Sequence, residues 1–271
     1  MTREHDDTDL TDVQWTQLEK LLPPPAKLGR KPIDKRWIID AILYVVQTGC
    51  QWRNLPHDFP KCRVNCNRAV YNNYWKWRND GTWKRIHDEL VKQVRQSVGK
   101  EPTPTAAIID SSTAPTTEVG GEQRGYDAGK KIGGRKRHIV VDTLGLILSA
   151  VVHAASIQDQ DGAKLVLLNI KNVYKTLKVI FGDSAYKRSG LPDWVKEELD
   201  CILQPVLRPV DADGFVVLPK RWIVERTFAW LKRYRRHSKD YERNPDSSVA
   251  MIYIAMTKNM LNMLEYNTLQ I

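Results

Sequence analysis

The stretch TAAIIDSST, residues 105–113, contains an apolar run that is followed by an acid. Its β-branched residues predict a buried strand, and Asp110 follows that strand directly. The stretch KVIFGDSAY, residues 178–186, repeats the pattern with Asp183. A carboxylate just past a buried strand lies at the carboxyl edge of a sheet, where α/β folds gather their chemistry. Neighbouring strands would bring Asp110 and Asp183 together, although an Asp in such a position is also a common turn residue.

Apolar runs around these two stretches predict the rest of a sheet. HIVVDT at 138–143 and LILSAVVHAA at 146–155 are separated by a short turn, which is typical of a hairpin. CILQPVL at 201–207 is a further strand, and helices are predicted over 159–174, 191–199, 219–236 and 246–264. The order β-β-β-α-β-α-β-α predicts an α/β fold in which helices flank a mixed five-stranded sheet.

The first hundred residues show helical periodicity instead. Helices are predicted over 9–22 (capped by Thr11 or Asp12), 35–49, 67–78 and 82–98. This unit carries 18 Lys and Arg against 12 Asp and Glu. Helices of this length joined by short turns suit a helix-turn-helix module. We therefore expect two domains, a helical DNA-binding domain at 1–100 and an α/β catalytic domain at 101–271.

A third acid, Glu225, lies in the predicted helix RWIVERTFAWLKR, residues 221–233. Its apolar residues would hold that helix against the sheet, so that Glu225 could reach the two aspartates. Three convergent carboxylates repel one another and invite divalent cations. Two Mg²⁺ ions roughly 4 Å apart would activate a water or a 3′-hydroxyl and stabilise the leaving oxygen in phosphoryl transfer.

The charge of the chain points to a polyanionic partner. The formal net charge is +10 and the isoelectric point about 9.4. Cations cluster in the glycine-rich segment Gly125–His138, which we interpret as a mobile phosphate-binding loop, with a solvated loop as the alternative. They also cluster on the helix of Glu225, where an Arg221–Glu225 ion pair is the alternative. The candidate DNA-binding residues are Lys130, Lys131, Arg135, Lys136, Arg137, Arg221, Lys232, Arg235 and Arg236.

Several classes of protein are disfavoured. No run is apolar enough for a transmembrane helix, and the acidic first residues lack the apolar region of a secretory signal. The four cysteines are unevenly placed, so we expect a reducing cytoplasm rather than a disulfide framework. Cys62 and Cys66 could ligate zinc with Cys50 or His57, and ordinary thiols are the alternative.

The stretch RWIVERTFAWLKR resembles the C-terminal signature of bacterial insertion-sequence DDE transposases, in the group that includes insertion sequences four and five. That signature reads Tyr-x2-Arg-x3-Glu-x6-Lys, and Arg221, Glu225 and Lys232 match its last three positions. Leu218 stands at the tyrosine position. The resemblance continues in AILYVVQTGCQWRNLP, DGTWKRI, IIDSST, GKKIGGRKRHIVVDTLG and FGDSAY, and so covers nearly the whole chain.

The resemblance implies an RNase H-like catalytic domain with Asp110, Asp183 and Glu225 as its acidic triad. It also implies a bacterial, cytoplasmic, nucleoid-associated enzyme that uses two Mg²⁺ ions, or Mn²⁺ in their place. Its substrates would be the ends of its element and target DNA, bound by a homodimer. The chain has no room for the β-rich insertion of some relatives. A repressor without catalysis and a nuclease of the same fold that does not transpose are the alternatives.

Overall fold

A computed structural model describes residues 5–24, 33–57, 59, 66–187, 189–206 and 220–269. Four helices precede residue 100 in the described ranges: α1 (Asp12–Glu19), α2 (Lys35–Thr48), α3 (Cys66–Asn79) and α4 (Thr82–Ser97). Thr11 caps α1 as predicted, because its hydroxyl accepts from Gln14 N in a capping box. A 3₁₀ turn at Trp52–Asn54 lies between α2 and α3. The predicted helices of this part of the chain are confirmed within a few residues.

The remainder of the described chain is α/β. Its strands are β1 (Ala106–Pro115), β2 (Gly125–Asp127), β3 (Ile132–Asp142), β4 (Ile147–Ala154), β5 (Val179–Gly182) and β6 (Ile202–Pro205). Its helices are α5 (Asp159–Leu168), α6 (Leu191–Leu199), α7 (Arg221–Lys232) and α8 (Pro245–Leu269), with 3₁₀ turns at Ser184–Lys187 and Arg235–His237. Pro219, which we expected to open α7, lies outside the described residues.

The six described strands form one mixed sheet. β3 pairs antiparallel with β1 and β4, whereas β5 pairs in parallel with both β1 and β6. The short hairpin between β3 and β4 makes an antiparallel pair, and the helical connection through α6 joins the parallel pair of β5 and β6. β2 pairs with the first residues of β3, before the point where β4 begins to pair. The sheet therefore has five strand positions, which confirms the predicted architecture.

The prediction of a mobile loop over Gly125–His138 was wrong. These residues form β2, a turn and the first half of β3. Arg135, Lys136, Arg137 and His138 are all buried in that strand. Consecutive charges usually indicate a solvated segment, because a buried charge needs a partner. Here distant parts of the chain supply the partners, which the local sequence does not show.

The N-terminal helices share one hydrophobic core with the sheet-bearing part of the chain. α8 packs against α1, α2, α3 and α4 on one side and against β4 on the other. A buried ion pair between Arg95 and Asp142 joins α4 to the end of β3. Asp142 also accepts bonds of 2.9 Å from Leu144 N and Leu146 N and so stabilises the turn between β3 and β4. No helix within the described ranges is long and apolar enough to cross a membrane.

Candidate active site

Asp110 and Asp183 lie side by side on neighbouring strands. β1 and β5 pair in parallel as far as Ile108 opposite Phe181, and each aspartate stands two residues further along the chain. Asp183 follows the end of β5 as predicted. Asp110 does not end its strand, because β1 continues to Pro115 along β3. The carboxylates meet at the edge where the parallel pairing stops.

Each carboxylate accepts one backbone hydrogen bond. Asp110 Oδ1 accepts from Ser111 N at 2.7 Å, and Asp183 Oδ1 accepts from Ala185 N at 2.8 Å. Burial raises the pKa of Asp110 from 3.8 to about 6, and the charge of Asp183 adds to this effect while Arg221 opposes it. Two carboxylates held together in this way repel each other, and a bound cation would relieve the repulsion.

Glu225 lies on α7, which packs against β1 and β3. Its side chain is 54% exposed, and its Oε1 lies 3.7 Å from Nη2 of Arg221. Among the described residues, no three His, Cys, Asp or Glu side chains are grouped closely enough to hold a metal ion. The structure thus brings Asp110 and Asp183 together and leaves Glu225 paired with Arg221 on the adjoining helix. The oxygen ligands themselves suit a hard divalent cation.

A chain of buried side chains lies behind Asp183. Tyr186 OH lies 2.8 Å from His138 Nε2, and His138 Nδ1 lies 3.4 Å from His153 Nε2. His153 Nδ1 lies 3.0 Å from the carbonyl oxygen of Ala154, which can only accept, so Nδ1 carries the proton. His153 Nε2 must then accept from His138, and His138 Nε2 from Tyr186. Burial lowers the pKa of both imidazoles, that of His138 to about 3, so both are neutral near pH 7.

We call His153, His138 and Tyr186 the imidazole chain. It anchors the turn Ser184–Lys187, whose Ala185 N–H holds the carboxylate of Asp183. Next to it, Asp159 Oδ1 accepts from Ser111 Oγ at 2.8 Å and from Lys136 Nζ at 3.0 Å. Our sequence analysis missed this network. The one local signal was a single histidine, His153, within the otherwise mostly apolar run of β4.

Comparison with known proteins places this arrangement in a family. Residues 101–260 match the family model described as transposase DDE domain, and residues 10–87 match that of a putative transposase of IS4/5 family. The chain belongs to the transposase DDE domain family. It is therefore a DNA-cleaving and strand-transferring enzyme of a family that uses divalent metal ions, and the predicted RNase H-like fold is confirmed.

Two curated relatives are each similar to the transposase over 46% of its length. The insertion element IS402 uncharacterized 16.2 kDa protein of Burkholderia cepacia is 30% identical over 131 residues, which are 46% of this chain and 78% of that protein. The uncharacterized protein y4sN of Sinorhizobium fredii is 29% identical over 127 residues, 46% of this chain and 87% of that protein. No solved structure matches the chain.

The predicted DNA-binding residues of the transposase separate into two groups. Five reach solvent and remain candidates: Lys130, Lys131, Arg221, Lys232 and Arg235. Four are at most 8% exposed: Arg135, Lys136, Arg137 and Arg236. A side chain that is buried and already bonded within the protein offers little charge to DNA, so these four are not retained as contacts.

Partners from distant parts of the chain explain this burial. Arg135 binds the carboxylate of Asp240 at 3.2 Å and donates to backbone carbonyls, among them that of Glu122. Arg137 donates to the carbonyl oxygens of His237 and Lys239 at 2.7 and 2.9 Å. These bonds fasten β3 to the segment after α7 and have a structural role.

Two further features of the sequence fall outside what the structure describes. Leu218, at the tyrosine position of the signature, lies outside the described residues, as do Cys62 and the side chain of Cys66. The zinc hypothesis therefore stays a prediction. Of its other two candidate ligands, Cys50 is a half-buried free thiol and His57 is exposed.

Proposed function

We propose that this transposase binds the terminal inverted repeats of its insertion sequence and performs Mg²⁺-dependent strand cleavage and strand transfer with Asp110, Asp183 and Glu225. The adjacency of Asp110 and Asp183 at the edge of the sheet carries the proposal. Backbone N–H groups hold both carboxylates there. Burial of the ionised Asp110 carboxylate costs free energy, which a bound cation would offset. The family supplies the expectation that such a site handles DNA.

Two Mg²⁺ ions, with Mn²⁺ as an alternative, would supply an activated oxygen nucleophile and charge neutralisation at the phosphate. Asp110 and Asp183 would hold the ions. Glu225 is exposed and bound to Arg221 only at 3.7 Å, so its side chain can turn toward the aspartates without unfolding α7. Arg221 would then be released to bind a DNA phosphate.

The exposed cations near this edge suit DNA phosphates. Lys130 and Arg221 lie close enough to Asp110 to lower its pKa. Lys232 shares the helix face of Glu225, because the two are seven residues apart in α7. Binding through such contacts should weaken steeply with added salt, since each neutralised phosphate releases counterions. A homodimer that holds both ends of the element is part of the proposal, and the mass of the protein–DNA complex tests it.

The test uses the inverted repeat in the DNA that flanks the gene, placed on a labelled duplex. Purified protein with Mg²⁺ should nick the duplex at the repeat boundary. Asp110→Asn, Asp183→Asn and Glu225→Gln should each lower the nicking rate by a factor of at least about 1,000, since charge stabilisation of the transition state is lost. Their affinity for the duplex should stay within a few-fold of wild type.

Asp200→Asn is the matched control, because Asp200 is exposed and pairs with Lys196 on the surface. It should cut like wild type. Full activity in any of the three triad variants would remove that residue from the site. Specific binding by a well-folded wild type that never cuts would favour the repressor. Cutting without any preference for the repeat would favour a nuclease that does not transpose.

A further inference from the structure

α3 presents two different faces. Val70, Tyr74 and Trp77 recur at helical spacing and are at most 3% exposed, so this side packs into the core. The opposite side, which we call the α3 outer face, consists of Arg68, Tyr71, Asn72, Trp75 and Lys76. Tyr71 is 41% exposed and Trp75 is 49% exposed. Two large aromatic rings at the surface of a short helix indicate a surface that meets a partner.

The composition of α3 favours one kind of partner. From Cys66 to Asn79 the helix contains Arg68, Lys76 and Arg78 and no Asp or Glu. Asn and Arg are the side chains that read adenine and guanine in the major groove through paired hydrogen bonds. An exposed α-helix fits into that groove, whose width matches the helix diameter. Double-stranded DNA is a polyanion whose base edges present hydrogen-bonding groups in the major groove, and it complements this face.

A cationic cavity continues the α3 outer face. It has a volume of about 1420 Å³, and Arg68 and Tyr71 belong both to its wall and to the face. Among its lining residues that the structure describes, four are arginines and one is an acid: Arg53, Arg68, Arg236, Arg243 and Glu122. Of these arginines, Arg236 is already paired with Glu242 at 2.7 Å. The remaining ones suit the phosphates that flank a groove-bound helix.

The position of this surface is fixed relative to the catalytic sheet. Arg236, in the turn after α7, donates to the carbonyl oxygen of Cys50 at 3.2 Å. Gly49, with a φ of +73°, packs so closely that an added Cβ would lie 3.2 Å from the backbone of Arg235. On the other side, Tyr74 OH donates to the carbonyl oxygen of Ser247 in α8 at 3.2 Å. The α3 outer face is therefore held in place against the part of the chain that carries the sheet.

We infer that the α3 outer face reads the terminal repeat in its major groove, with Asn72 and Lys76 as the side chains that contact bases and Arg68, which also lines the cavity, as a phosphate contact. The cavity beside it takes the phosphate backbone. This inference rests on the proposed function, because it names the surface through which the element ends are bound. It assigns specificity to residues that lie apart from the acidic triad.

The test measures binding rather than cutting. Fluorescence anisotropy is recorded with a duplex that carries the flanking inverted repeat and with a shuffled duplex of equal composition. A variant with Arg68→Ala, Asn72→Ala and Lys76→Ala should lose at least about tenfold in affinity for the repeat. Asn72→Ala alone should lose preference for the repeat over the shuffled duplex. Arg68→Ala alone should weaken binding to both and reduce the salt slope by about one.

Lys196→Ala is the matched control, because it removes a cation that is 62% exposed on α6. It should bind both duplexes like wild type, and all variants should melt at the wild-type temperature since the replaced side chains are exposed. Unchanged affinity and preference in the triple variant would overturn the inference. A variant that binds DNA normally but changes oligomeric mass would show that the face joins two copies of the chain instead.

The two proposals fail separately. Asp110→Asn should bind the repeat without cutting it, whereas the α3 variant should fail to bind it. If wild type binds the repeat and the α3 variant does so equally well, only the inference about α3 is wrong. If wild type has no preference for the repeat, the proposed end binding is wrong as well.

Discussion

The buried carboxylate of Asp110 reduces the stability of the folded protein. Burial raises its pKa from 3.8 to about 6, so the folded state holds this proton more tightly than the unfolded chain does. Between pH 4 and 6 the unfolded chain releases the proton while the folded state retains it, and stability falls as the pH rises. Above pH 6 both states are ionised and the full cost is present. Residues with a binding role often reduce stability in this way.

Asp110→Asn should therefore be more stable than wild type above pH 6 in metal-free buffer, by on the order of 1–3 kcal/mol. Near pH 4 the two proteins should be equally stable. Urea unfolding at a series of pH values measures the difference. Asp200→Asn serves as the control. Lys196 lowers the pKa of that exposed carboxylate, so its ionisation favours the folded state, whereas ionisation of Asp110 opposes it. A constant difference between Asp110→Asn and wild type from pH 4 to 8 would contradict the assignment.

Among the elements, α5 depends on one small residue. An added Cβ at Gly162 would lie 2.4 Å from His153 Nε2 and 2.6 Å from His138 Nδ1. Only glycine lets this helix pack directly on the two imidazoles. The close approach packs α5 on the two imidazoles, one of which is hydrogen-bonded to Tyr186. An element that looks like an ordinary crossover helix thus helps to position Asp183.

Gly162→Ala should destabilise the protein by about 1–3 kcal/mol, because the clash outweighs the gain in helix propensity of about 1 kcal/mol. It should also slow strand cleavage, since the turn that carries Asp183 loses its anchor. Thermal unfolding and the nicking assay measure the two effects. Gly133→Ala is the control, because an added Cβ there meets nothing within 4 Å. Stability equal to or above that of wild type would mean that the imidazoles move aside freely.

At the scale of the whole molecule, the N-terminal helices and the sheet do not have separate cores. α8 is covered by α1 to α4, and the buried carboxylate of Asp142 depends on Arg95 from α4. A division at residue 100 therefore remains a proposal about function, in which the helices bind DNA and the sheet carries the acids. It does not follow that either part folds alone.

A fragment of residues 101–271 should fail to unfold cooperatively, because it exposes the apolar side of α8 and leaves Asp142 unpaired. Circular dichroism during heating and binding of a hydrophobic dye measure this. The milder variant Arg95→Met keeps the chain intact. It should lower the free energy of unfolding by about 3–5 kcal/mol, the usual effect of leaving a buried charge unpaired. Lys92→Ala, on the exposed side of α4, should be neutral. A fragment as stable as the full chain would show that the cores are independent.

The sequence alone determined the features that depend on local periodicity and capping. Helices α1 to α4 and strands β1, β4, β5 and β6 follow from patterns within a few residues, and the position of Asp183 follows from the end of its strand. What only the tertiary structure decided depends on residues far apart in the chain. Arg135 is buried because Asp240 and distant carbonyls receive it, so a run of charges became part of a strand. Likewise the imidazole chain and the packing of α8 arise from contacts between elements, because burial of polar groups is decided by partners that no local pattern contains.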